Sequence, residues 1–181
     1  RAAGIALILV AACERDTVQP GQLMLSLTTD LQPGKDFDDV TIEVLSFGSL
    51  QFRNDYPIGA GGLRFPATLG IVAGESADEP VAIRVLSSLR GRFRTLREVV
   101  TLVPEDRVAH LSVKIEWFCL DEVVETESGS VDSSCPDGQT CVAGGCAESE
   151  VDVGGLPALD PVAVFGDGSC FDTVACFAAG Y

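Results

Sequence analysis

Seven cysteines are the residues of this 181-residue chain with the plainest chemistry: Cys13, then Cys119, Cys135, Cys141, Cys146, Cys170 and Cys176. The stretch "CPDGQTCVAGGC" spaces Cys135, Cys141 and Cys146 as C-x5-C-x4-C, and its Pro-Asp-Gly and Gly-Gly turns let thiols converge within few residues. Zinc would need C-x2-C pairs or histidines near the cysteines, and the tail has neither, so the expected chemistry is disulfide formation and no metal centre. His110 is the only histidine. Strand alternation puts it among outward polar residues with no identifiable partner, which reads as a surface position. No nucleophile elbow, phosphate loop, His-Glu-x-x-His or dinucleotide fingerprint is present, so no catalytic residue is assigned. Aspartate and glutamate remain the only abundant groups able to do acid–base work, as in a carboxylate-based hydrolase.

Those carboxylates are unevenly placed. All twelve Lys and Arg lie at or before Lys114, and from Leu120 onward there are twelve Asp and Glu with no basic residue. The last 62 residues therefore carry −12, and the first 119 carry −3, twelve basic against fifteen acidic residues. A chain with a net charge of −15 repels nucleic acid and anionic lipid headgroups, so neither is an expected partner. The acidic tail is a hard-oxygen environment, and "FGDGSCFD" offers Asp167 and Asp172 as weak calcium candidates on a glycine-containing loop. The spacing is not that of an EF-hand, and solvation is the ordinary role of such stretches; no cofactor is otherwise expected.

Cys13 is a different case from the other six. Arg1 followed by "AAGIALILVAA" has the order of a secretory signal, a positive residue, a short apolar stretch and small residues, and it is too short to span a bilayer. Val10-Ala11-Ala12-Cys13 resembles the bacterial lipobox, in which the cysteine is diacylated and becomes the new N-terminus. The polar tether "ERDTVQPGQ" follows it, with Glu14 rather than Asp next to the cysteine, which by resemblance to enterobacterial sorting rules implies the outer membrane. The chain begins with Arg rather than Met, so residues 1–12 are expected to be part of a signal peptide and residues 13–20 a lipid-anchored tether. Setting Cys13 aside leaves six cysteines, an even number in a chain bound for an oxidising compartment.

Residues 21–118 must position whatever this protein uses. They read as short strands with period-two alternation: around Leu23, Leu25 and Leu27; around Val40, Ile42 and Val44; then "SLQFRNDYPI", "LRFPATLGIVAG", "VAIRVLSSL", "RFRTLREVVTLV" and "RVAHLSVKIEW". In the last, Leu111, Val113, Ile115 and Trp117 are expected inward. The prediction is a mainly β fold, an antiparallel β-sandwich of immunoglobulin-like or transthyretin-like kind, followed over residues 119–181 by a small disulfide-rich, loop-rich, acidic module. Arg90, Arg92 and Arg94 should share one strand face, with Arg84 and Arg97 near. That strip reads first as a solvated face that blocks edge pairing, and otherwise as an anion or glycan site, or as a surface on which the acidic tail docks.

The lipobox cysteine, the β-rich domain ending in "WFCLDE", and the tail motifs "CPDGQTCVAGGCAESEVD" and "GDGSCFDTVACF" together resemble cell-surface lipoproteins of myxobacteria and related bacteria. The resemblance implies an exported, envelope-associated protein with no assigned reaction, in which the tail continues past the equivalent of Tyr181. Six cysteines allow fifteen connectivities. Cys170 and Cys176 enclose only "FDTVA" and are the first choice for a local bridge; Cys119–Cys141 with Cys135–Cys146 is the crossed arrangement expected for the rest. On this reading the protein meets the membrane through its N-terminal lipid and has a binding, adhesion or structural role toward an unspecified protein or glycan.

Overall fold

Alternation puts the apolar residues of each run on one side, and two such sides close against each other to exclude water. The computed structural model describes residues 21–59, 61–73, 78–126, 130–160, 162 and 164. Seven strands form the two sheets: β1 (Gln22–Thr29), β2 (Asp39–Ser46), β3 (Ser49–Pro57), β4 (Ala67–Val72), β5 (Val81–Leu89), β6 (Arg92–Thr101) and β7 (Val108–Ile115). The first sheet has the order β4-β1-β7 and the second β3-β2-β5-β6. The fold is therefore mainly β, as the alternation indicates.

Between the sheets lie Leu23, Leu25 and Leu27 of β1, Val40 and Ile42 of β2, Ile83 and Val85 of β5, Val99 of β6, and Leu111, Val113 and Ile115 of β7. One departure from a purely antiparallel sandwich is the pairing of β1 with β7, which is parallel, with Leu25 opposite Leu111. Joining the first and last strands in one sheet imposes no short connection, so a parallel pair is open to them. Phe37 sits in the turn-rich "DLQPGKDFDD" link yet is fully buried, edge-on to Phe65 with ring centroids 5.8 Å apart. Trp117 is a correction: β7 ends at Ile115, and Trp117 falls in a single 3-10 turn, Trp117–Cys119, where it is half exposed.

The tail forms a third layer and an edge cap. Strands β8 (Val123–Glu125) and β9 (Val131–Ser133) pair with each other, and Val123 and Val131 pack on Leu86, Leu96 and Phe93, on the outer face of the second sheet. Strands β10 (Gln139–Val142) and β11 (Gly145–Glu148) form a hairpin beside β6. Disulfides Cys119–Cys141 and Cys135–Cys146 cross within this module, the two pairings expected from the sequence. The first bridge is buried and joins the 3-10 turn after β7 to β10.

The open edges of β6 and β7 are where the tail matters most. The Val100 N–H donates to the Ser149 carbonyl, Val151 N–H donates back to Val100, both at 2.8 Å, and Glu98 N–H donates to the Thr140 hydroxyl at 3.0 Å. Farther along, His110 N–H donates to the Pro157 carbonyl and Leu159 N–H to that of Val108, again at 2.8 Å. One strip of chain thus satisfies the outward groups of both edges. Leu25 is fully buried on the central strand of the first sheet, between Leu69 and Leu111. Leu25→Ala should lower unfolding free energy by about 2–5 kcal/mol in urea titrations, whereas the exposed Leu50→Ala should change it by no more than about 0.5 kcal/mol.

Candidate functional site

Strand pleating that aims Val40 and Ile42 inward must aim Asp39, Thr41 and Glu43 outward. Neighbouring strands in register build this face into rows. In the first, Arg53, Glu43, Arg84 and Glu98 alternate in sign across all four strands. Arg53 Nη1 lies 2.8 Å from Glu43, Arg84 Nη1 lies 3.0 Å from the other Glu43 oxygen, and Arg84 Nε lies 3.2 Å from Glu98. Glu43 is buried between its two arginines, so its charge is compensated twice where water is scarce.

The same Arg84 reaches the tail. Its Nη2 lies 3.7 Å from Asp132 and donates to the Val131 carbonyl, both in β9. Arg94 forms a two-pronged pair with Asp121 at 2.6 and 3.2 Å, and Arg107 donates to the carbonyls of Leu156 and Val153 at 2.9 and 2.7 Å. Arg97 lies opposite Val85 instead; burial pushes its pKa down, with the Glu116 charge opposing. The arginines therefore do not form one solvated face. Arg90 lies in the β5–β6 turn with φ 54°, and a register shift between Ser87 and Ser88 breaks the parity of β6. Of the three readings of the arginine strip, docking of the acidic tail is the one realised by Arg84 and Arg94.

Beside the docked hairpin, none of the described residues covers the β2–β3 half of the face. A hollow of about 350 Å³ is lined by Asp38, Asp39, Asp55 and Arg53, with Phe93 as its wall. Across Phe93 lies a second hollow of about 290 Å³ between Arg92, Asp121 and Glu125. Thr41 donates to Asp55 at 2.6 Å, and both Asp38 oxygens accept from the Arg90 N–H at 3.0 and 2.9 Å. Burial pushes the Asp39 carboxyl up, and the charges of Asp55 and Asp38 push it further. The "DFDD" run gave a signal of acidity only; its convergence with Asp55 depends on β2–β3 register.

His110 does face outward, but it has a partner. Its Nε2 lies 2.6 Å from Ser26 Oγ, a hydrogen bond whose donor depends on the tautomer, made across the parallel β1–β7 pair. Neither hollow includes these two residues. Among the described residues, no group of three or more His, Cys, Asp or Glu side chains is arranged to hold a metal ion. Cys13, Cys170, Cys176, Asp167 and Asp172 lie outside the described residues. No protein-family model, no curated protein and no solved structure matches this chain.

Asp39 provides a pH test with a defined sign. A carboxyl with a raised folded pKa contributes stability fully present below its unfolded value of 3.8 and lost as pH rises through the folded value. At pH 7 its charge therefore opposes folding. Asp39→Asn should raise the melting temperature at pH 7 and leave it unchanged near pH 3, a contrast readable in paired thermal scans.

Proposed function

We propose that this chain is an exported protein, anchored to the cell envelope by lipid on Cys13, with a non-catalytic binding, adhesion or structural role. The observation that carries the reading is the pair of crossed disulfides, Cys119–Cys141 and Cys135–Cys146, that pin the tail across the sandwich edge. Such bridges persist in oxidising compartments. The Val10-Ala11-Ala12-Cys13 motif and the resemblance to myxobacterial-type surface lipoproteins supply the anchor and the outer-membrane location. Among the described residues no helix is long and apolar enough to cross a membrane. The open hollow at Asp39 and Asp55 is the place on the second sheet where a protein or glycan ligand would be held.

A second reading, an extracytoplasmic carboxylate-based hydrolase, draws on the same hollow, because Asp39 has a raised carboxyl beside Asp55. It requires turnover of a polysaccharide that Asp39→Asn abolishes while binding survives. The anchored reading is tested by mass spectrometry of protein purified from its native envelope. The expected result is a mature chain starting at a diacylated Cys13, and release of Cys13→Ser into the soluble fraction. An unmodified chain retaining Arg1 would contradict it.

A further inference from the structure

The tail seals one side of the sandwich, and among the described residues nothing pairs with the opposite edge, β3. Every β3 residue except Tyr56 is exposed over its nine-residue length, and Phe47 at the hairpin tip is 80% exposed, with Leu50 at 54% and Phe52 at 38%. Natural edges are blunted by shortness, charge, bulges or proline; β3 is nine residues long, its one proline, Pro57, is terminal, its register shift falls at Gln51 toward the hairpin end, and its two charges, Arg53 and Asp55, are of opposite sign.

The unpaired groups can be assigned. Ile58 N–H donates to the Asp38 carbonyl at 2.9 Å, which makes Asp38 and Ile58 a hydrogen-bonded pair. Tyr56 and Asn54 then also direct their main-chain groups at β2, and Arg53 and Asp55 direct theirs to solvent. We propose that a second copy of this chain pairs there, β3 against β3, antiparallel about a two-fold axis at Asn54. In that register Arg53 faces the partner's Asp55 and Asp55 faces the partner's Arg53, as hydrogen-bonded pairs of opposite charge. Phe52 meets the partner's Tyr56 on the other face, and Pro57, which has no N–H, meets Gln51 only where the contact ends.

Charge selects this register. A shift of one residue on each strand sets Arg53 against Arg53 in one direction and Asp55 against Asp55 in the other, and like charges directly opposite are destabilising. The contact is isologous and closes after two copies, giving one continuous eight-stranded sheet. Arg53 and Asp55 line the acidic hollow, so the two hollows would adjoin across the seam.

The axis puts Asn54 opposite Asn54 as a non-hydrogen-bonded pair, whose Cα separation of about 4.5 Å suits a disulfide. Asn54→Cys in the full chain, mildly oxidised and run without reductant, should give a cross-linked dimer. Ser49→Cys, on the same exposed strand but far from its symmetry mate, should not. Adding Asp55→Arg to Asn54→Cys faces arginine with arginine twice and should cut the cross-linked fraction about tenfold. No dimer from Asn54→Cys, equal dimer from Ser49→Cys, or a yield indifferent to Asp55→Arg in a variant that melts normally would each overturn the proposal.

Discussion

A β-sandwich ends at its edges in rows of N–H and C=O groups that must find partners, and in this protein the need is met on one side by the chain's own tail. The segment from Ser149 to Leu159 runs past β6 and then β7, taking up the outward groups of Val100 and His110 in turn. Because β6 and β7 border different sheets, this single strip also ties the two sheets together at the side where they would otherwise part. The crossed disulfides hold the strip in place. Closing a 22-residue loop between Cys119 and Cys141 is worth about 3 kcal/mol in the chain-entropy account. The bridge substitutes for a core that so short a module cannot build.

The charge asymmetry of the sequence follows from the same arrangement. A tail without a basic residue folds onto β5 and β6, which carry Arg84, Arg92, Arg94 and Arg97, and the pairs Arg84–Asp132 and Arg94–Asp121 lie at that seam. Arg84 is the key member, because it also compensates Glu43 and Glu98 within the sheet. An arginine fork can serve several acceptors at once, whereas a lysine at this position would leave some unmet. Asp30, at the end of the first sheet, shows similar economy. Burial would raise its pKa, but the Lys114 hydrogen bond at 2.7 Å, the Trp117 N–H and the Lys114 charge together hold it below the usual value.

The strands and the two central disulfides were legible in the sequence because each depends on local pattern, namely alternation in runs such as Val40 to Val44 and turn residues between close cysteines. What was hidden depends on pairing between distant segments. Nothing near His110 names Ser26, because β1 and β7 meet only once the sheet closes. Phe37 sits among Pro, Gly and Asp and looks like a loop residue, yet it fills space that the two sheets leave at one end of the core. Trp117 continues the parity of β7, but the strand has already turned, with Trp117 N–H capping onto Asp30 at 2.7 Å. The hollow at Asp39 needed β2 beside both β3 and β5, an order that sequence proximity does not reveal.

A covalently pinned tail supplies the missing edge partners of β6 and β7, and this dependence is open to direct test. Amide hydrogen exchange on oxidised and reduced protein tests it residue by residue. On reduction, the N–H groups of Glu98, Val100 and His110, which donate to Thr140, Ser149 and Pro157, should exchange at least about tenfold faster. Those of Leu25 and Ile83, inside the sheets, should keep their protection. Unchanged exchange at the three edge amides, or an equal loss at all five, would contradict it.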